Sequence, residues 1–210
     1  DPEQPLSHMF VRELHSRTVD GLIREGDSTP GHYRTTDVKI TGSAHVPSSW
    51  VNVHSAMTDL LDFTNTDFPM NQQMFQIALA HHRFVWIHPF GNGNGRVSRL
   101  LTYAMLRRTV FASRGWAALN PTSVFGNNRE EYIAALEGAD SLTNEGDIQW
   151  ATFFAKGIRG DLNRVINLQK KEYVLSELIF PTLSKLVQEG IINEETRQAL
   201  RVVAEKDVVK

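Results

Sequence analysis

The chain has 210 residues, of which 41% are hydrophobic and 22% charged, a globular composition long enough for one well-buried core. A net charge of −2 without any basic tract disfavours nucleic acid as a partner, and the lack of cysteine excludes disulfides, thiolate metal sites and a cysteine nucleophile. No apolar run approaches the length of a membrane span and no basic-then-apolar leader opens the chain, so the expected state is soluble, in a reducing cytoplasm and away from membranes.

The opening Asp1-Pro-Glu-Gln, with no methionine, reads as a trimmed or partial product. From about Leu6 to Arg24, apolar Leu6, Met9, Phe10, Leu14, Val19, Leu22 and Ile23 recur at helical spacing behind Ser7 as a cap. Gly26 to Gly31 breaks this helix. Tyr33 to His45 then alternates through Val38 and Ile40 before Gly42-Ser43, the pattern of a short two-stranded hairpin. Pro47-Ser-Ser-Trp-Val predicts a second helix, capped by Ser48 or Ser49, with Val51, Met57, Leu60 and Leu61 inward and an end near Asn65.

Asn71 to Ile87 is amphipathic and carries His81 and His82. Neighbouring residues of a helix point in different directions, and no third ligand is suitably spaced, so these two read as one packed histidine and one surface histidine. Beyond Arg108, a loop through Gly115-Trp116 and Asn120-Pro121 leads to a helix beginning around Asn128, periodic at Tyr132, Ile133 and Leu136. Gly138 to Asp147 breaks it. Ile148 to Ile166 carries Trp150, Phe153, Phe154, Ile158, Leu162 and Val165 as a core stripe. Two more helices follow, Glu172 to Gln188 with Pro181 as a kink or boundary, and Glu194 to Ala204.

The richest stretch is His88-Pro-Phe-Gly-Asn-Gly-Asn-Gly-Arg-Val-Ser-Arg99, between two predicted helices. Gly91, Gly93 and Gly95 allow positive φ and close approach of the backbone to a ligand, and their N–H groups with the start of the next helix (Val97 to Arg107) make a cradle for anionic oxygens. Arg96 and Arg99 lie three residues apart on one helix face, so both guanidinium forks reach the same phosphate chain. The spacing is neither the dinucleotide fingerprint nor a P-loop, and both of those follow a strand rather than a helix. His88 is the candidate general base, Phe90 an apolar plug beneath the loop, and Asn94 a residue that fixes the loop and reaches a phosphate.

The order His88-Pro-Phe-x-x-Gly-Asn-Gly-Arg-x-x-Arg99 resembles the active-site signature of the Fic family. The likeness extends to Pro30-Gly-x-Tyr-Arg34 with Val38-x-Ile40-x-Gly42, and to Arg129-x-x-Tyr132 with Gly146-Asp147, about residues 10 to 165 together. The resemblance implies an all-α bundle with a short β-hairpin flap at about 33–46. It also implies a catalytic domain over 1–170, followed by a helical extension at 171–210. The implied chemistry is transfer of AMP from ATP, with Mg²⁺, to a Ser, Thr or Tyr hydroxyl of a target protein or of the chain itself.

In that pattern His88 is catalytic. Gly93, Asn94 and Gly95 bind the α-phosphate, Arg96 the β-phosphate and Arg99 the γ-phosphate. Tyr132 and Asn144 border the adenine or ribose, and Val38, Lys39 and Ile40 dock the target by strand addition. The family usually has Asp or Glu where this chain has Asn92, so Asn92 is a metal ligand without charge attraction.

Three alternatives stay open: a weak nucleotide-binding module, another phosphate-containing donor, and γ-phosphate transfer, against which Gly95 argues because kinase-like relatives have Lys there. Family members carry an inhibitory helix of the pattern Ser/Thr-x-x-x-Glu-Gly/Asn. The match Ser141-Leu-Thr-Asn-Glu145-Gly146 falls in a predicted loop, and Ser16 to Gly21 has Asp20 for Glu, so the expected inhibitor precedes Asp1 or comes from a partner. A homodimer is a further expectation.

Overall fold

The structure, a computed structural model, describes residues 4–109, 125 and 129–206. The loop predicted through Gly115-Trp116 and Asn120-Pro121, and the helix start near Asn128, lie outside the described residues. Two compact units divide the chain, 1–161 and 162–210.

In the first unit, Ser7 caps α1 (His8–Val19) by accepting the Phe10 N–H at 3.2 Å. The helix stops five residues before the predicted Arg24, because Asp20 turns extended and Gly21 takes φ +68°. Leu22 and Ile23, expected inside, are therefore exposed. A 3₁₀ turn (Trp50–Asn52) precedes α2 (Val53–Asn65), which buries Met57, Leu60 and Leu61. Neither Ser48 nor Ser49 supplies the cap. The carboxylate of Asp37 accepts the Trp50 N–H at 2.7 Å from outside the helix, and Val51 is exposed rather than inward.

The central helix is α3 (Met70–Ile87), buried at Gln76, Ile77, Ala78, Ala80, His81, His82, Phe84 and Ile87. It packs on α2 and on α4 (Asn94–Arg108), whose Val97, Leu101, Met105 and Leu106 face inward; α1 closes the other side of α4. Leu100, although apolar, is 39% exposed. Helix α5 (Arg129–Ala139) and α6 (Asn144–Asn167) follow, and α6 carries the expected stripe, with Trp150, Phe154 and Ile158 fully inside and the Trp150 indole N–H donating to Ala78 O at 2.6 Å.

The all-α class holds, whereas the hairpin within it does not. Among the described residues no strand forms, and residues 33–46 are irregular chain around one turn, closed by Ser43 N–H to Ile40 O at 3.3 Å with Gly42 at φ +79°. Positive φ at the third position is what a type II turn requires, and glycine supplies it. No ladder joins the two arms, and side chains at their ends are tied to α3 instead. Arg34 reaches the carbonyls at its end, and the His45 Nε2–H donates to Trp86 O at 2.8 Å.

In the second unit the predicted helix over Glu172–Gln188 is three pieces: a turn Lys171–Tyr173, a π segment Val174–Ile179, and α7 (Phe180–Gln188). Pro181 sits in the first turn of α7, where its missing N–H is tolerated, so the boundary falls where the sequence places it. Asn193 caps α8 (Glu194–Glu205) through the Thr196 N–H at 2.8 Å, and the Arg201 guanidinium lies 4.3 Å over the Phe180 ring.

Candidate active site at the α3–α4 turn

His88 ends α3 in a left-handed conformation, φ +52°, ψ 60°, with its N–H still donating to Phe84 O at 3.1 Å. Its Nδ1 lies 3.2 Å from Val85 O, which can only accept, so Nδ1 carries the proton and Nε2 the lone pair. Burial, with a smaller contribution from the nearby Arg34 charge, holds the imidazole down at about 4. The ring is neutral at neutral pH.

The next residues tie the turn from below. Asn94 is buried, and its side-chain amide grips one residue at both ends: Oδ1 accepts the Phe90 N–H and Nδ2 donates to Phe90 O, each at 2.9 Å. It fixes the loop as expected, but its side chain is spent there and is turned away from a phosphate. Phe90 plugs the core under the loop, stacked on the His15 ring at 3.8 Å. Gly93 has φ +76° and starts α4, and its carbonyl accepts the N–H groups of Arg96 and Val97. The N–H groups of Asn94 and Gly95 have no acceptor among the described residues, which leaves them as open donors at a helix N-terminus.

The two arginines differ. Arg99 makes no hydrogen bond or ion pair among the described residues and lines the cavities on both sides of the loop. Arg96 is held by backbone carbonyls, Thr18 O at 3.3 Å and Glu25 O, and lies 4.0 Å from the Glu25 carboxylate. Residues 25–29 in fact form a strap over the loop. Gly26 O accepts from the Asn92 Nδ2 at 3.1 Å and an Asp27 carboxylate oxygen accepts the Asn92 N–H at 2.9 Å, while the same carboxylate is held by Thr29 and lies 3.5 Å from His15. The His15 Nδ1 accepts the Gly31 N–H, so its Nε2–H is the donor toward Asn92 O at 3.2 Å. Burial lowers the His15 pKa, and the hydrogen bonds it accepts lower that of Asp27 despite its burial.

Asn92 is therefore committed: Oδ1 accepts the Gly93 N–H at 2.7 Å and Nδ2 holds the strap. As a test of a metal at this position, the loop's one side-chain oxygen of the expected kind is already bonded to the backbone. Among the described residues no cluster of three His, Asp or Glu could hold an ion. In this arrangement Asn92 Oδ1 would offer a cation one remaining lone pair and no negative charge, a weak hold by itself.

Beside the loop opens a cavity of about 670 Å³, bounded by Ile40, Trp86, His88, Arg99, Phe125 and Tyr132 among others. A second space of about 550 Å³ over the glycines shares His88, Gly95, Arg99 and Ile40 with it and adds Lys39, Asn92 and Arg96. Tyr132 is placed by a buried relay. Thr102 donates to Ser98 O, so it accepts from His81 Nδ1–H at 2.8 Å, and the Tyr132 hydroxyl donates to His81 Nε2 at 3.0 Å. Burial holds His81 down at about 3 and pushes the Tyr132 hydroxyl up to about 12.

Asn144, by contrast, starts α6 exposed and lines neither space, and Val38 lines neither as well. His82 is buried, not superficial: it accepts from Arg83 and donates to Asp140 at 3.0 Å, and Arg83 grips Asp147 with two bonds of 2.9 Å. Glu145 is exposed and accepts from Gln149; among the described residues it makes no ion pair with Arg99.

Sequence reading missed His15 and Asp27, read His81 only as packing, and gave Arg34 no role. Arg34 had a signal, its place in the quoted motif; His15 and Asp27 had none, since their partners are tertiary.

The geometry first defines a class: a helical domain that sets a neutral histidine beside an anion-receiving helix start, with an arginine that has no partner among the described residues. A Fic/DOC family model matches residues 5–106, and through this segment the chain belongs to the Fic/DOC family. The chain is 28% identical over 207 residues to a protein adenylyltransferase Fic of Nematostella vectensis, covering 94% of this chain and 42% of the relative. A Drosophila willistoni protein of the same name is 34% identical over 143 residues, 66% of this chain and 25% of that one. The crystal structure of a Fic family protein from Desulfovibrio desulfuricans G20 superposes with a TM-score of 0.66 at 26% identity, over 78% of this chain and 48% of the other. The chain thus spans less than half the length of these relatives.

Proposed function

We propose that the chain transfers AMP from ATP to a Ser, Thr or Tyr hydroxyl of a protein, another or itself. The observation that carries this is the His88 tautomer: Nδ1–H bound to Val85 O leaves the Nε2 lone pair free on a residue that borders both spaces. The hydroxyl oxygen attacks the α-phosphorus, its proton passes to Nε2, and the bond to the bridging oxygen breaks to release pyrophosphate. Phosphate charge beside His88 raises its affinity for that proton from the low value of the free site.

The N–H groups of Asn94 and Gly95 receive the α-phosphate, and that of Gly93 joins them once it leaves the Asn92 side chain. Arg99 takes the γ-phosphate, and Arg96 the β-phosphate once it leaves the carbonyls of residues 18 and 25. Adenine fits the larger space beside Tyr132. The unpaired arms of residues 33–46, with Lys39 and Ile40 at the rim, offer backbone donors and acceptors to an extended target segment.

Mg²⁺ enters with the nucleotide, on its phosphates. The transferring domain is residues 1–170, with 171–210 as an extension. Among the described residues no helix is long and apolar enough to cross a membrane; the setting we propose is cytoplasmic. A restraining element from beyond Asp1 or from a partner, and a homodimer, complete the reading.

A second reading, a nucleotide-binding module with little turnover, is favoured by the committed Asn92 and the strapped Arg96. Protein labelling with ATP carrying label at the α or the γ phosphate separates the readings. Label from the α position alone, abolished in His88→Ala, is the expected result; γ label alone means phosphoryl transfer, and neither label with retained ATP binding means the module.

A further inference from the structure

The geometry points to Arg34 as a positioning residue of the transfer site, holding the backbone of His88 in the one conformation that frees its outer ring nitrogen. This rests on the reading of His88 as the base. Arg34 is 5% exposed, and a guanidinium buried so deeply is costly unless its donors are used. They are used on consecutive residues: Nε donates to His88 O at 2.9 Å, Nη2 to Ile87 O at 3.4 Å, and the Arg34 N–H to Pro89 O at 2.9 Å. Its remaining donors go to Ser48 O at 2.6 Å and Thr36 O at 3.1 Å, and Asp37 lies 3.6 Å away.

These bonds bracket the strained residue. The carbonyls at the end of α3 have lost their helical partners, and a cation there also answers the negative end of the helix. His88 sits at φ +52°, which non-glycine residues rarely adopt, and it persists only where surroundings over-determine it. The Arg34 guanidinium on Ile87 O and His88 O, backed by the backbone N–H on Pro89 O, is that surrounding. Without it the chain at 87–89 relaxes, the Nδ1–H to Val85 O bond is lost, and Nε2 no longer stands alone as acceptor. Lysine cannot replace it, since one ammonium does not span carbonyls that a planar fork reaches together. Arg34 itself borders neither the cavity nor the space over the glycines, so it acts through His88 rather than on ATP.

The test uses the whole chain with ¹⁵N-labelled histidine, as wild type, Arg34→Met and Arg34→Lys, with the His88 ring signals assigned by their loss in His88→Ala. The ring nitrogen shifts report the tautomer, and transfer kinetics are measured alongside. Wild type is expected to show His88 as the Nδ1–H form. Both variants should lose that single form and lose about 10²-fold in kcat, the scale of a small misplacement, with KM for ATP little changed. A folded Arg34→Met that keeps the wild-type tautomer and kcat overturns the proposal, as does a loss falling on ATP affinity alone with the tautomer intact. If Arg34→Met does not fold, Arg34→Lys decides by the same readouts. If the wild-type chain transfers nothing, the transfer reading fails, and the ring nitrogen shifts still decide what Arg34 does.

Discussion

Asn92 spends both ends of its side-chain amide, one on the neighbouring Gly93 N–H and one on the strap at Gly26 O. An aspartate keeps the first bond, loses the second, and sets a carboxylate oxygen against a carbonyl with the Asp27 charge close by. Asn92→Asp should therefore lower the stability of the free chain by roughly 1–3 kcal/mol, the cost of an unmade bond with an acceptor left facing another. Released from the strap, the carboxylate should tighten Mg²⁺-dependent ATP binding and raise transfer. Urea unfolding together with ATP titration at several Mg²⁺ levels checks this; a variant equal to wild type in both contradicts it. At this scale the sequence exposed what is local. The spacing from His88 to Arg99 lies within one turn and one helix, so the loop and its arginine pair were legible, whereas the hold of residues 18 and 25 on Arg96 alone was not. Asp27 and His15 were not, because the groups they hold lie 65 and 77 residues away.

The packing of α1 against the loop turns on Gly93. A Cβ there would stand 2.8 Å from a Val19 methyl and 3.5 Å from the His15 ring, and φ of +76° is itself unfavourable for alanine. Gly21, at φ +68° with nothing within 4 Å, carries the backbone term alone. Gly21→Ala should lose about 1–2 kcal/mol and Gly93→Ala clearly more, the difference measuring how tightly helix and loop are fitted. Chemical denaturation of the two variants supplies the numbers, and equal losses would mean that α1 gives way freely. The elements themselves were mostly readable, since α2, α3 and α6 follow apolar periodicity. The flap was not, because alternation marks extended chain but says nothing of pairing, and here Arg34 and His45 bond to the end of α3 in place of a ladder.

In the first unit five histidines, His8, His15, His81, His82 and His88, have pKa values lowered chiefly by burial, which holds them neutral. The unfolded chain takes up protons below the ordinary histidine value of about 6.5 while the native chain does not, so stability falls as pH falls. The window opens near that value and runs down toward the native values, about 4 for His88 and about 3 for His81. Melting temperature should be steady above about pH 7 and drop between about pH 6.5 and 4.5, with proton uptake on unfolding in calorimetry. A flat profile over that range would falsify the neutral histidine core. The left-handed slot of His88 has a further consequence. Glycine would sit there more easily than a residue with a Cβ, by on the order of 1 kcal/mol. A substitution chosen at this position for stability alone would therefore remove the ring that is tied to Val85 O, and with it the base that transfer needs.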